Sequence, residues 1–156
     1  MLSPKDIYQA QLDELGQAYW DMDFSKVLDM IHFPSFVETD DLTLHLPDRE
    51  SYLASLISQR DNLTMRGATA YHRICRDAVV AHDDPHRIEG IHEVYALQGA
   101  TLVMDPYLTQ MSLVYKNGAW LCTGLRSATT NKNLKIVKHP EPTTGSPAAE
   151  AALKET

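Results

Sequence analysis

At 156 residues, with 44% hydrophobic and 22% charged side chains, the chain is long and apolar enough for one domain with a substantial core, which excludes a disordered polypeptide. A formal net charge of -7 and the lack of any Lys/Arg run argue against non-specific binding to nucleic acid or anionic membranes. Cys75 and Cys122 stand far apart and outside any Cys-x-x-Cys pattern, so they read as two buried, reduced thiols.

The chain opens on Ser3-Pro4, a helix start with Ser3 as cap, rather than on a basic region followed by an apolar core. With no stretch long enough to cross a membrane, a soluble cytoplasmic protein is expected. Tyr8, Leu12, Leu15 and Tyr19 then form a stripe at helical spacing, and a short second helix is predicted from about Asp23 to Pro34. Short strands are predicted over 36–39 and 42–46 around the turn Asp40-Asp41. A third helix follows, capped by Asp48 and ended by Gly67. From Thr69 the period changes to two, giving strands over 69–82, 87–98, 107–116 and 119–129. Helices followed by long meandering strands predict an α+β layer arrangement. From about His139 the Pro-rich stretch and alanine-rich stub read as a mobile tail on a C-terminal extension beginning near 132, with the domain itself over 1–131.

The most informative stretch is Met111 to Arg126. Asn117-Gly118 is the strongest short-range signal for a two-residue hairpin turn. Taken as the turn, it sets Tyr115 opposite Trp120, Leu113 opposite Cys122, Met111 opposite Gly124 and Thr109 opposite Arg126. One face is then aromatic and thioether-rich and ends in an arginine.

The element order, the Trp20-Asp21-Met22-Asp23-Phe24 junction, the Phe36-Val37-Glu38 strand and the Lys116-Asn117-Gly118-Ala119-Trp120 turn together resemble the nuclear-transport-factor-2-like superfamily over about Pro4 to Thr130. That superfamily includes the SnoaL-like cyclases, ketosteroid isomerase and scytalone dehydratase. The resemblance implies a cone: a curved antiparallel sheet wrapped around three N-terminal helices, a pocket at the open end, and a convex face that pairs with a second copy. It does not carry the isomerase chemistry across. The isomerase's tyrosine, base and oxyanion-hole positions fall on Leu15, Thr39 and near Ser112, with Glu38 or Asp40 one residue from the base position. His72, His92 and Tyr19 do not align with the dehydratase's set.

Three constellations remain as candidates. If His82 pairs with Arg87, Asp77 faces His92, an aspartate orienting an imidazole as a general base requires; Arg76 then faces Glu93 as an ordinary ion pair. Arg126 would present a guanidinium within the cone, to be met by Glu38 or by a ligand anion. Tyr8, Tyr19, Trp20, Met104, Met111, Tyr115 and Trp120 could line an apolar pocket. His82-Asp83-Asp84-Pro85-His86 reads as turn chemistry rather than a metal cluster, so neither metal nor cofactor is expected.

The leading expectation is a small-molecule-binding protein whose ligand is partly apolar and carries an acid group for Arg126. A lyase, isomerase or cyclase using His92, Asp77 and Arg126 is the alternative, and a dimeric protein-interaction module is a third.

Overall fold

A computed structural model describes residues 2–137; the predicted mobile tail lies outside these residues. Helix α1 (Pro4–Trp20) begins with a capping box: the Ser3 hydroxyl accepts from the Asp6 N–H while the Asp6 carboxylate accepts from the Ser3 N–H. Asp23 caps α2 (Phe24–Asp29), and Asp48 with Ser51 caps α3 (Arg49–Met65). Gly67, in the left-handed region at φ 79°, turns the chain out of α3.

The strands are β1 (Ser35–Glu38), β2 (Thr43–Leu46), β3 (Ala70–Ala81), β4 (Asp84–Gln98), the two-residue β5 (Thr101–Leu102), β6 (Tyr107–Lys116) and β7 (Ala119–Ser127). They form one curved sheet in the order β2-β1-β7-β6-β4-β3, with β5 beside β4. The sheet is mixed rather than wholly antiparallel, because β1 runs parallel to β7 and places Glu38 beside Arg126. Helices α1 and α3 fill the concave side. Tyr8, Leu12, Phe24, Leu56, Ile88 and Leu113 lie at the heart of the core. A last helical turn, α4 (Asn131–Leu134), leads into a segment whose Leu134 and Ile136 are buried.

The Asn117-Gly118 turn forms as expected, with both residues at positive φ and Tyr115 opposite Trp120. The predicted register holds down to Leu113–Cys122 and then breaks. A β-bulge leaves Ser112 facing Thr123 and Gly124, so Met111 pairs with Leu125 and Arg126 with Gln110. One inserted residue reverses every side chain beyond it.

A second pair of irregularities corrects the β3–β4 hairpin. Ala81 pairs with Asp84, so the turn is His82-Asp83, and the extra residues Pro85 to Arg87 bulge out of β4. A further bulge at Arg76 sets Cys75, not Asp77, opposite His92, while Asp77 faces Ile91. Bends of this kind let a long sheet wrap around helices.

Edge strand β3 is covered by a side chain of α1. The Gln9 side chain donates from Nε2 to the Arg73 carbonyl at 2.9 Å and accepts at Oε1 from the Cys75 N–H at 2.7 Å. The amide thus stands in for a neighbouring strand, a protection that exposed edges need.

Candidate functional site

The alternation of β3 points Tyr71, Arg73 and Cys75 toward the helices, and that of β4 points Ile88, Gly90, His92, Val94 and Ala96 the same way. His92 is wholly buried. Its Nε2 accepts from the Arg73 Nε–H at 3.2 Å, so the ring proton sits on Nδ1, 2.7 Å from the Tyr8 hydroxyl oxygen to which it donates. Burial, aided by the Arg73 charge, pushes the His92 pKa down to about 2. The imidazole is therefore neutral with both nitrogens engaged, and it has no free lone pair for a proton.

Asp77 is on the surface, 3.7 Å from Lys5 and out of reach of His92's side of the strand. Arg126 lies on the outer face, its Nε 3.4 Å from the Glu38 carboxylate and its guanidinium 5.4 Å over the Phe36 ring. The trio Asp77, His92 and Arg126 read from the sequence is thus not assembled: one member is buried and two are exposed. Both bulges are the cause. The expected pair Arg76–Glu93 does form, at 2.6 Å, on the outer face.

The aromatic set divides as well. Tyr8 packs its ring flat against Gly90 and is committed to His92. Met111 is buried, with its sulfur accepting from the Cys122 thiol at 2.7 Å, and burial pushes that thiol up to about 12. Tyr115 is exposed at the hairpin tip, where it contacts Trp120 edge-on. Tyr19 alone of the nominated ligand residues lines a cavity on the helix side of the sheet.

That cavity, about 50 Å³, is bounded by Tyr19, Tyr52, Tyr71, Gln59, Cys122 and Arg73. Arg73 is the residue the sequence reading missed. It is half-buried, and although burial works against its charge its pKa stays above the ordinary arginine value, with Tyr71, Cys122, Tyr8 and Tyr107 around it, so the guanidinium is charged. None of the ion pairs among the described residues includes it. By contrast, the neighbouring buried Arg60 is fully used: Nε and Nη2 donate to the Trp20 carbonyl, Nη1 donates to Thr64, and the guanidinium stacks 3.8 Å from the Trp20 ring. Tyr19, Tyr52 and Tyr71 all have their pKa raised by burial, so their hydroxyls stay protonated. Among the described residues no cluster of His, Cys, Asp or Glu could hold a metal.

Larger hollows lie outside the cone. A groove of about 460 Å³ crosses the outer face past Arg87, Glu89, Ser112 and Arg126. Another, of about 370 Å³, runs between α1 and the β3 edge beside Gly16 and Trp20 and is lined on its β3 side by Tyr71 and Arg73 as well.

No known family profile and no curated protein matches the chain. Solved structures do. An NTF-2-like protein of unknown function from Shewanella oneidensis is 8% identical with a TM-score of 0.60, over 80% of this chain and 98% of that one. A protein of unknown function with a cystatin-like fold from Nostoc punctiforme is 8% identical with a TM-score of 0.61, over 83% and 94%. An NTF2-like protein from Cytophaga hutchinsonii is 10% identical with a TM-score of 0.57, over 83% and 100%. The chain therefore has the cone fold of the nuclear-transport-factor-2-like proteins, as the sequence suggested.

Proposed function

We infer that this protein binds a small, partly apolar carboxylate inside the cone, with Arg73 as the counter-charge. The observation that carries the reading is a charged, half-buried guanidinium among phenols and aliphatic side chains, with no carboxylate ion-paired to it among the described residues. A buried charge is costly unless an opposite charge or hydrogen-bond acceptors meet it, and a carboxylate matches the planar fork of arginine. The acid-binding role given to Arg126 passes to Arg73, because the bulge turns Arg126 outward.

The cavity of about 50 Å³ limits the ligand. Drug-sized molecules occupy roughly 300–1,000 Å³, so the cone as it stands takes a carboxylate of acetate size, with the Tyr and Gln59 groups around it. Thermal unfolding at constant ionic strength tests this. Acetate or propionate should raise the midpoint in a concentration-dependent way, since a ligand bound only by the folded state stabilises it. Arg73→Gln should remove the response. A wild-type midpoint indifferent to every small carboxylate overturns the reading.

The assembly expected from the sequence is part of the same proposal. Ile74, Glu93 and Leu108 lie in one row across the outer face of β3, β4 and β6, and Ile74 and Leu108 are both exposed. Exposed apolar groups on a sheet face, rimmed by charge, support a homodimer through this face.

A further inference from the structure

Beyond the Arg73 cavity, and resting on the reading given for it, the C-terminal segment from Thr130 to Val137 raises a separate question. It makes no backbone–backbone hydrogen bond to the rest of the described molecule; those it forms run within itself, from Asn133, Leu134 and Lys135 back to Thr130 and Asn131. Instead α3 holds it by side chains. Ser55 donates to the Ile136 carbonyl at 2.7 Å, Ser58 to that of Lys135, Asn62 to that of Asn133 at 2.6 Å, and Arg66 to that of Lys132 at 2.8 Å. Ser55, Ser58 and Asn62 recur along one face of α3 and Arg66, its C-cap, continues the row, at steps of three and four. The segment keeps its own shape through the Asn131 side chain, which accepts from the Ile136 N–H at 2.8 Å, and through Lys135 at φ 58°. It is a preformed strap, tied also to the β1–β2 turn, where the Asp41 carboxylate accepts from the Asn131 N–H at 2.8 Å, and anchored in the core by the buried Ile136 side chain.

Beneath it Leu134 is buried, closing a void of about 10 Å³ bounded by Val94, Ala96, Met104, Tyr107 and Tyr71. Tyr19, Tyr71 and Gln59 belong both to this void and to the wall of the Arg73 cavity. The partition between the two spaces is thus only one layer of side chains thick. Apart from Asn62, Gln59 and Asn133, the walls of the strap-side void are apolar or phenolic, suited to a hydrocarbon tail rather than a second charge.

We propose that the strap 130–137 is the gate of the cone and that Leu134 is its length-selecting plug: a ligand's carboxylate sits on Arg73, and its apolar tail takes the place of the Leu134 side chain. Aliphatic monocarboxylates longer than the closed cavity admits, rather than diacids or phosphates, are then the substrate class. Tail binding is coupled to displacement of the strap.

Calorimetric titration of the full chain with acetate, butyrate and hexanoate tests this, in the wild type, Leu134→Ala and Arg73→Gln. In Leu134→Ala, affinity should rise about fourfold for each methylene buried, while the wild type gains less because the strap must move. Acetate binding with the same chain-length profile in both proteins overturns the plug and leaves the Arg73 reading standing. Failure of acetate, butyrate and hexanoate alike to bind either protein overturns both. Leu134→Val offers a milder opening should the alanine variant fold poorly. Asn131→Ala tests the gate apart from the plug. It loosens the strap's internal bond without touching the cavity, so hexanoate should associate severalfold faster and bind more tightly, while acetate binding stays unchanged. Unchanged rates overturn the gate.

Discussion

Gly90 and Gly124 are where single atoms decide the packing. A Cβ on Gly90 would fall within the Tyr8 ring, and one on Gly124 within the Phe36 ring, whereas one on Gly16 in α1 would meet open space. Gly90→Ala should therefore cost about 1–3 kcal/mol through overpacking. Gly16→Ala should instead gain up to about 1 kcal/mol, from helix propensity. Urea unfolding of the three proteins checks the sign of each. His92 supplies a pH signature. Its folded pKa, about 2, lies below the ordinary value near 6.5. Between these limits the unfolded chain binds the proton that the folded chain refuses. Stability from this group is therefore full above about pH 6.5 and is lost as pH falls, by up to about 1.4 kcal/mol per unit. In His92→Gln, whose amide can both accept from Arg73 and donate to Tyr8, the slope of unfolding free energy between pH 6.5 and 4.5 should flatten by that amount. An unchanged slope would show that His92 is not the group that titrates.

At the scale of elements, the helix caps, the Asn-Gly turn and the order of the first three helices and six of the strands were legible, because each is written in a few adjacent residues, while the two-residue β5 and the single turn α4 were not. Register was not. It depends on bulges, and one bulge moves Arg126 from the inner face to the outer, while another separates Asp77 from His92. The signal was present in part: Gly90 and Gly124 interrupt strand patterns, and an isolated glycine within a strand marks a bulge or a close approach of another group. Arg73 was hidden for a different reason. In Tyr71-His72-Arg73-Ile74-Cys75 the outward Ile74 is as apolar as its inward neighbours, so alternation alone does not say which phase faces the helices. Gln9 could not have been read at all, since its partners lie 64 and 66 residues away. Its role can be measured. Gln9→Ala should leave the fold intact but speed hydrogen exchange at the Cys75 amide, which loses its acceptor, with little change on β6. Equal protection at Cys75 in both proteins would mean that the edge is covered by something other than this side chain.

For the whole molecule, charge and shape act against each other. Each copy carries -7, so two copies repel, yet the outer face leaves Ile74 and Leu108 in water on either side of Glu93. Burial of those side chains favours pairing, and salt screens the repulsion without weakening the apolar contact. The proposed dimer should therefore tighten as salt is raised from about 10 mM, where screening reaches some 30 Å, to about 150 mM, where it reaches some 8 Å. Leu108→Glu removes an apolar contact and adds a negative charge next to Glu93, and should leave a monomer at both salt concentrations. Sedimentation equilibrium distinguishes the cases. A wild-type protein that stays monomeric at high salt would return the outer face to solvent, and one whose dimer loosens with salt would point to ion pairs, such as those of Arg87 and Arg126, rather than to the Ile74–Leu108 row as its bond.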